Sequence, residues 1–180
     1  MTQFKFSSVG FKIVAVLFLA VFLAAGCSRG PLSVEEETTE PQLLQRTIDE
    51  SALASLSATE LYAEQIISYK TGGRLSLFDV DLDVPAGAVA NDTVFSIRIP
   101  DPAVFFNEFG TDGLVFDEPV TVTMSYRDAN LTGVDETTIR IGWFDERTGH
   151  FEDISCKVDY ANKVVTGQLD HFSAYGLISD

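Results

Sequence analysis

The chain has 180 residues, enough for one domain, or for one domain and a tether. Its 27 acidic residues against 12 basic ones give a formal net charge of −15, which excludes nucleic acid as an expected partner because phosphate binding needs a cationic surface. Two cysteines and two histidines are too few for a zinc knuckle, an iron–sulfur site or a disulfide scaffold. The composition therefore indicates an acidic globular protein.

Residues 1–26 have the pattern of a secretory signal peptide. Two lysines and no acidic residue precede an unbroken apolar run at residues 13–25, which is shorter than the roughly 20 residues of a membrane-spanning helix. The small residues before Cys27 resemble a bacterial lipobox, in which the chain is cleaved between Gly26 and Cys27. The resemblance implies that Cys27 is lipid-modified and begins the mature protein. The alternative is an ordinary signal peptide followed by an incidental cysteine.

A lipid on Cys27 would hold the protein at the membrane of the bacterial cell envelope. The expected diacylglycerol and N-acyl groups supply three chains, and each buried methylene contributes about 0.8 kcal/mol, so attachment would be permanent. In a diderm host, Ser28 after the cysteine implies sorting to the outer membrane. Lipidation of Cys27 leaves Cys156 without an intramolecular disulfide partner, and we expect Cys156 to be a small buried hydrophobic residue.

Residues 27–65 are predicted to be the lipidated cysteine and an acidic linker. Residues 28–41 are rich in Ser, Thr and Glu and contain no Phe or Trp, which favours a disordered spacer. Residues 42–65 carry Leu and Ile at loosely helical spacing, and residues 57–60 fit a capping box. One or two short helices are expected there, docked weakly on the domain or not at all.

From residue 66 onward, apolar and polar residues alternate with a period of two, which is typical of half-buried antiparallel strands. The apolar positions are Val80, Leu82 and Val84; Phe95, Ile97 and Ile99; Val120, Val122, Met124 and Tyr126; Ile139, Ile141 and Trp143; and Ile154, Cys156 and Val158. Turn sequences at residues 72–73, 148–149 and 159–162 separate these segments. Residues 66–180 are therefore predicted to form an all-β domain of eight or nine strands, an antiparallel β-sandwich or a partly open barrel.

Several motifs in this region resemble a known family. They are Gly72-Gly73, Val-Pro-Ala-Gly-Ala-Val at 84–89, Phe-Asp-Glu-Pro-Val at 116–120, Trp-Phe-Asp at 143–145 and His-Phe-Ser at 171–173. In this order they resemble the ZU-five domain, a β-sandwich module of ankyrins, netrin receptors and PIDD proteins. The resemblance covers roughly residues 66–180 and implies a domain that acts in binding or packing.

The His-Phe-Ser motif raises the question of self-cleavage. In the PIDD members this tripeptide is cut between Phe and Ser. The resemblance implies attack of the Ser173 hydroxyl on the Phe172 carbonyl, with His171 accepting the proton and water hydrolysing the resulting ester. The apolar residues Leu169 and Tyr175 stand at odd positions but Phe172 at an even one, so the alternation of buried residues is interrupted between Leu169 and Tyr175. This predicts a bulge or kink. The favoured interpretation is a strand corner in which Phe172 fills the core, because cleavage requires both backbone strain and a positioned base.

Asp79, Asp81 and Asp83 are the candidates for a metal site. They alternate along one predicted strand, so their like charges would repel each other on one face. Calcium prefers oxygen ligands and would relieve that repulsion. The spacing departs from an EF-hand because Val84 and Ala90 stand where Gly and Glu are required. A solvated acidic face is the favoured interpretation.

Three phenylalanines form another candidate feature. Phe105, Phe106 and Phe109 lie in a segment bounded by proline and glycine residues. They are either a plug in the core or an exposed binding patch.

Three functions remain open. The favoured one is a membrane-anchored envelope lipoprotein that presents a non-catalytic β-sandwich to a protein partner, with no cofactor beyond the lipid. The second is a self-processing domain, whose only reaction would be its own cleavage. The third is a calcium- or glycan-binding envelope protein.

Overall fold

The computed structural model describes residues 40–48 and 61–180. Within these ranges the chain forms twelve β-strands and one 3₁₀ turn. The strands are β1 Gln42–Leu43, β2 Leu61–Ile67, β3 Gly73–Leu77, β4 Val80–Val84, β5 Thr93–Ile99, β6 Phe106–Gly110, β7 Val115–Ser125, β8 Arg140–Asp145, β9 His150–Asp153, β10 Cys156–Asp159, β11 Val164–His171 and β12 Ala174–Ser179, and the 3₁₀ turn is Glu136–Thr138.

The strands form two antiparallel sheets. The seven-stranded sheet has the order β2-β5-β6-β12-β8-β9, with β1 pairing to β12, and the five-stranded sheet has the order β10-β11-β7-β4-β3. Apolar side chains from both sheets are buried together between them. The predicted all-β fold is confirmed as a sandwich, and the sheets do not close into a barrel.

The alternating pattern places the core as expected. In β4, β5 and β7 the predicted inward residues are buried, for example Leu82, Ile97 and Val122, which are all 0% exposed. Pro85 follows the last residue of β4, because proline lacks the N–H that a central strand donates. Two further strand positions are only half-buried, Cys156 and Val158 in β10, an edge strand of the smaller sheet.

Part of the segment predicted as a linker with possible short helices is strand in the structure, since residues 42–43 form β1 and residues 61–65 belong to β2. All seven residues of β2 pair with β5, so the boundary placed at residue 66 falls inside a strand. Paired backbone groups outweigh the weak helical spacing of the leucines, since helix propensity is a small term. The capping-box residues 57–60 lie outside the described residues.

Residues 42–48 form an extended segment, here called the strap, that bonds to both sides of the sandwich. The Leu44 N–H donates to the Leu177 carbonyl of β12 at 2.9 Å, and the Thr47 N–H donates to the Asp128 carbonyl, beyond β7, at 2.6 Å. Leu44 and Arg46 are buried, at 2% and 6% exposure. The strap is therefore part of the folded domain and not of a solvated spacer.

Candidate functional site

The His171-Phe172-Ser173 motif lies where the chain crosses from one sheet to the other. Strand β11 of the five-stranded sheet ends at His171, and β12 of the seven-stranded sheet begins at Ala174. The pairing register of β11 with β7 shifts between Leu169 and His171. The predicted kink is confirmed, and it allows the chain to leave one sheet and enter the other.

Phe172 is a central core residue. Its side chain is 0% exposed, and its ring lies 4.9 Å from Phe95 and 4.8 Å from Phe116, both edge to face. Phe109 lies 6.0 Å away on a third side. Aromatic pairs at these separations add to the energy of burial. The sequence-based interpretation of Phe172 as a core residue is therefore supported by its packing.

The peptide bond between Phe172 and Ser173 is held by backbone hydrogen bonds. The Phe172 N–H donates to the Leu114 carbonyl at 2.8 Å, and the Phe109 N–H donates to the Ser173 carbonyl at 2.9 Å. The Phe172 carbonyl, the atom group that Ser173 would attack, accepts from the Gly113 N–H at 3.0 Å. One donor is thus already directed at the oxygen that would become negative during attack.

His171 and Ser173 have different surroundings. The imidazole of His171 lies edge to face with the Trp143 ring at 5.2 Å and is tilted against the Tyr175 ring at 6.1 Å. Ser173 instead lines a cleft of about 240 Å³ together with carboxylates, and His171 is not among the residues of that cleft. The lining residues are Glu108, Phe109, Asp112, Glu146, Ser173 and Ala174. Among the described residues, no hydrogen bond joins the His171 imidazole to the Ser173 hydroxyl.

Tyr175 stabilises the turn between β11 and β12 with a side-chain hydrogen bond. Its hydroxyl donates to the His171 carbonyl at 2.9 Å, and its side chain is 1% exposed. Burial raises the pKa of the Tyr175 hydroxyl, and the charge of Asp170 adds to the shift. The hydroxyl therefore stays protonated and keeps this hydrogen bond at physiological pH.

The three aspartates of the candidate metal site are divided between two arginines. Asp79 lies in the turn before β4 and receives two bonds from Arg46, at 2.9 and 3.1 Å. Asp81 and Asp83 lie 2.9 and 3.8 Å from Arg74 of β3. The structure thus separates Asp79 from the other two. In the described ranges, no group of three or more His, Cys, Asp or Glu residues is placed to hold a metal ion.

The pKa values of these carboxylates follow their surroundings. Burial raises the pKa of Asp79 above its ordinary value, although its bonds to Arg46 oppose the shift. Burial acts in the same direction on Asp81, but hydrogen bonds from Ser76 and Arg74 outweigh it and lower the pKa of Asp81. Asp81 therefore stays ionised as a partner for Arg74.

Arg46 is the buried cation that the sequence-based interpretation missed. Its side chain is 0% exposed, and its guanidinium also donates to the carbonyls of Pro102 and Val104. The guanidinium carbon lies 4.2 Å from the centre of the Phe105 ring, within the range of a cation–π contact. No local pattern marks this residue, because every one of these partners is more than 30 positions away along the chain.

The three candidate phenylalanines are placed on different sides of the seven-stranded sheet. Phe105 and Phe109 are core residues, at 1% and 2% exposure. Phe106 is half-buried on the outer face, the side turned away from the five-stranded sheet, where it contacts Phe144 and Phe151. The expectation of a core plug is confirmed for Phe105 and Phe109, whereas the half-buried Phe106 belongs to neither a core plug nor a fully exposed patch.

No protein-family model matches the chain, and no curated protein is significantly similar to it. The resemblance to the ZU-five domain therefore stays a prediction from its motifs. Gly26 and Cys27 lie outside the described residues, as does the rest of the predicted signal peptide. Among the described residues, none belongs to a helix that is long and apolar enough to cross a membrane.

Proposed function

We propose that this chain is a lipoprotein of the bacterial cell envelope whose β-sandwich serves as a non-catalytic interaction or structural module. The observation that carries the proposal is the packing of His171 against the rings of Trp143 and Tyr175. The aspartates singled out as metal ligands are likewise engaged by Arg46 and Arg74. Side chains that could carry chemistry are thus used to hold the fold.

The membrane attachment rests on the signal-peptide pattern and on Cys27. The body of the protein is strongly acidic, with a net charge of −15 for the whole chain, and anionic lipids would repel it. A covalent lipid then supplies the attachment that the protein surface lacks.

Metabolic labelling with palmitate tests this attachment. The wild-type protein is expected to incorporate the label and to sediment with membranes, whereas Cys27→Ala should lose the label completely because no other residue is the acceptor. Cys156→Ala is the matched control and should be labelled as the wild type is, since Cys156 lies in strand β10 of the sandwich. An unlabelled wild-type protein, or label retained in Cys27→Ala, would contradict the proposal.

Self-processing is the second candidate, favoured by the hydrogen bond from Gly113 to the Phe172 carbonyl. The Ser173 hydroxyl would add to that carbonyl carbon, the C–N bond would break as the nitrogen takes up a proton, and water would hydrolyse the ester. No hydrogen bond among the described residues joins His171 to Ser173 for removal of the hydroxyl proton, so this candidate ranks second. Denaturing mass spectrometry distinguishes the two, because cleavage would release residues 173–180 as a separate peptide.

A further inference from the structure

Three phenylalanines from three strands meet on the outer face of the seven-stranded sheet. The ring of Phe106 in β6 lies 5.8 Å from Phe144 in β8 and 6.4 Å from Phe151 in β9, nearly perpendicular to both. Phe144 and Phe151 are 5.2 Å apart and directly paired across the β8–β9 hairpin. All three side chains are half-buried. We call this surface the Phe face.

Two glycines form the floor of the Phe face. Gly142 of β8 and Gly176 of β12 are directly paired, so the outer surface of the sheet is without side chains at this point. A Cβ on Gly142 would lie 2.6 Å from Ile178 and 3.0 Å from Phe151, and one on Gly176 would lie 2.4 Å from Leu43 of the strap. The apolar side chains therefore pack directly onto the backbone, which makes the Phe face a close-packed platform.

The carboxylate-lined cleft continues the Phe face along the same strands. Glu108 follows Phe106 by two positions on β6 and pairs with Ala174, which lies in β12 two positions before Gly176. Glu146 follows Phe144 by two positions, in the turn after β8. An aromatic platform and an acidic cleft thus lie side by side on one face.

The negative charge of the cleft favours a positively charged ligand. Glu108 pairs with Arg98 at 2.8 Å, whereas Asp112 and Glu146 form no ion pair with any residue that the structure describes. A cationic side chain would neutralise these two carboxylates while its stem lies on the aromatic rings. The same contact already exists inside the domain, where the guanidinium of Arg46 lies over the Phe105 ring.

We propose that the Phe face and the adjacent cleft together dock a basic segment of a partner protein, with arginine or lysine side chains over the rings and in the cleft. The inference rests on the proposed role as an interaction module and specifies the chemistry of the partner. Aromatic residues surrounded by polar groups are the typical centres of protein interfaces, and complementary charge directs the partner to them.

Binding of a short peptide of alternating arginine and leucine tests the proposal. The full lipidated protein is placed in nanodiscs of neutral phosphatidylcholine, and binding is followed by fluorescence anisotropy, with a glutamate–leucine peptide as the negative probe. Phe144→Ser is expected to weaken binding at least about 5-fold, because an interface anchor is lost. Tyr160→Ser, which removes an aromatic 47% exposed in the β10–β11 turn, should change it less than about 2-fold.

A charge-reversal pair tests the cleft without removing an apolar residue. Glu146→Lys and Glu118→Lys change the net charge equally, but Glu118 lies in β7 of the opposite sheet. We expect Glu146→Lys to weaken binding about 3- to 10-fold more than Glu118→Lys, since only the first charge lies in the cleft. No binding by the wild type, or equal effects of the two reversals, would overturn the proposal. The palmitate experiment is independent of this result and tests the proposed function separately.

Discussion

Arg46→Met is expected to lower the free energy of unfolding by about 3–5 kcal/mol, because it leaves the carboxylate of Asp79 in a largely buried position without its partner. The substitution also removes the guanidinium donors to the carbonyls of Pro102 and Val104. Both the ion pair and these hydrogen bonds attach the strap to the sandwich, so their loss weakens that attachment. Chemical denaturation of the wild type and the variant at pH 7 measures the difference.

Arg74→Met is the matched control for this experiment. Arg74 also pairs with aspartates, Asp81 and Asp83, but its side chain is 59% exposed, and exposed ion pairs contribute little. We expect its stability to stay close to that of the wild type. Equal effects of Arg46→Met and Arg74→Met would show that the buried pair does not hold the strap.

The pH dependence of the Arg46→Met defect has a defined sign. Burial raises the pKa of Asp79 in the folded state, and the bonds from Arg46 oppose that shift, so their loss raises the pKa further. An acid whose pKa is higher in the folded than in the unfolded state binds a proton more readily when folded. Lowering the pH through that raised pKa therefore stabilises the variant relative to the wild type, and the stability difference should shrink.

Phe172→Ala should likewise lower the free energy of unfolding by about 3–5 kcal/mol, because it opens a cavity among Phe95, Phe109 and Phe116. The ring is fully buried, and the surrounding side chains come from both sheets, so the site can collapse only in part. Thermal or urea denaturation measures the loss. Phe172→Leu retains most of the volume and is expected to lose less.

Ser173→Ala tests whether Ser173 only belongs to the turn between β11 and β12 or also cleaves the chain. The corner is held through the backbone carbonyl of Ser173, which alanine retains, so the free energy of unfolding should change by less than about 1 kcal/mol. Chain length should also be the same in the wild type and the variant. A wild type that is cut where Ser173→Ala is intact would show that the hydroxyl is a nucleophile.

The strands that alternate strictly could be predicted from sequence because one face of each is buried. In β4, in β5 from Phe95 onward and in β7 from Val120 onward every second residue is buried, and the period of two is therefore visible. Strand β2 has no such pattern, since Glu64, Gln65 and Ile66 are all exposed. Its structure comes from pairing with β5, which lies about 30 residues further along the chain.

The strap was missed for a related reason. Its burial depends on partners distant in sequence, such as Asp79 for Arg46 and Leu177 for Leu44. The local pattern at residues 42–65, Leu and Ile at loosely helical spacing, indicates short helices instead. Long-range bonds of this kind leave no periodic signal in the sequence.

For the candidate site, the sequence predicts the kink in the backbone but not the positions of the side chains. The phase slip between Leu169 and Tyr175 predicts a kink, because strand residues alternate between faces. It does not determine where the imidazole of His171 lies, which is set by Trp143 on a neighbouring strand. Nor could it show that Phe144 and Phe151 join Phe106 on the outer face, since this depends on strand order.

Denaturing mass spectrometry of the protein purified from membranes tests the central claim most directly. The measured mass shows both whether Cys27 carries a lipid and whether the chain is cut between Phe172 and Ser173. We predict one species that begins at Cys27, carries a diacylglycerol and an N-acyl group, and is uncut between Phe172 and Ser173. A chain without lipid, or a separate peptide of residues 173–180, would contradict the account of an anchored, non-catalytic module.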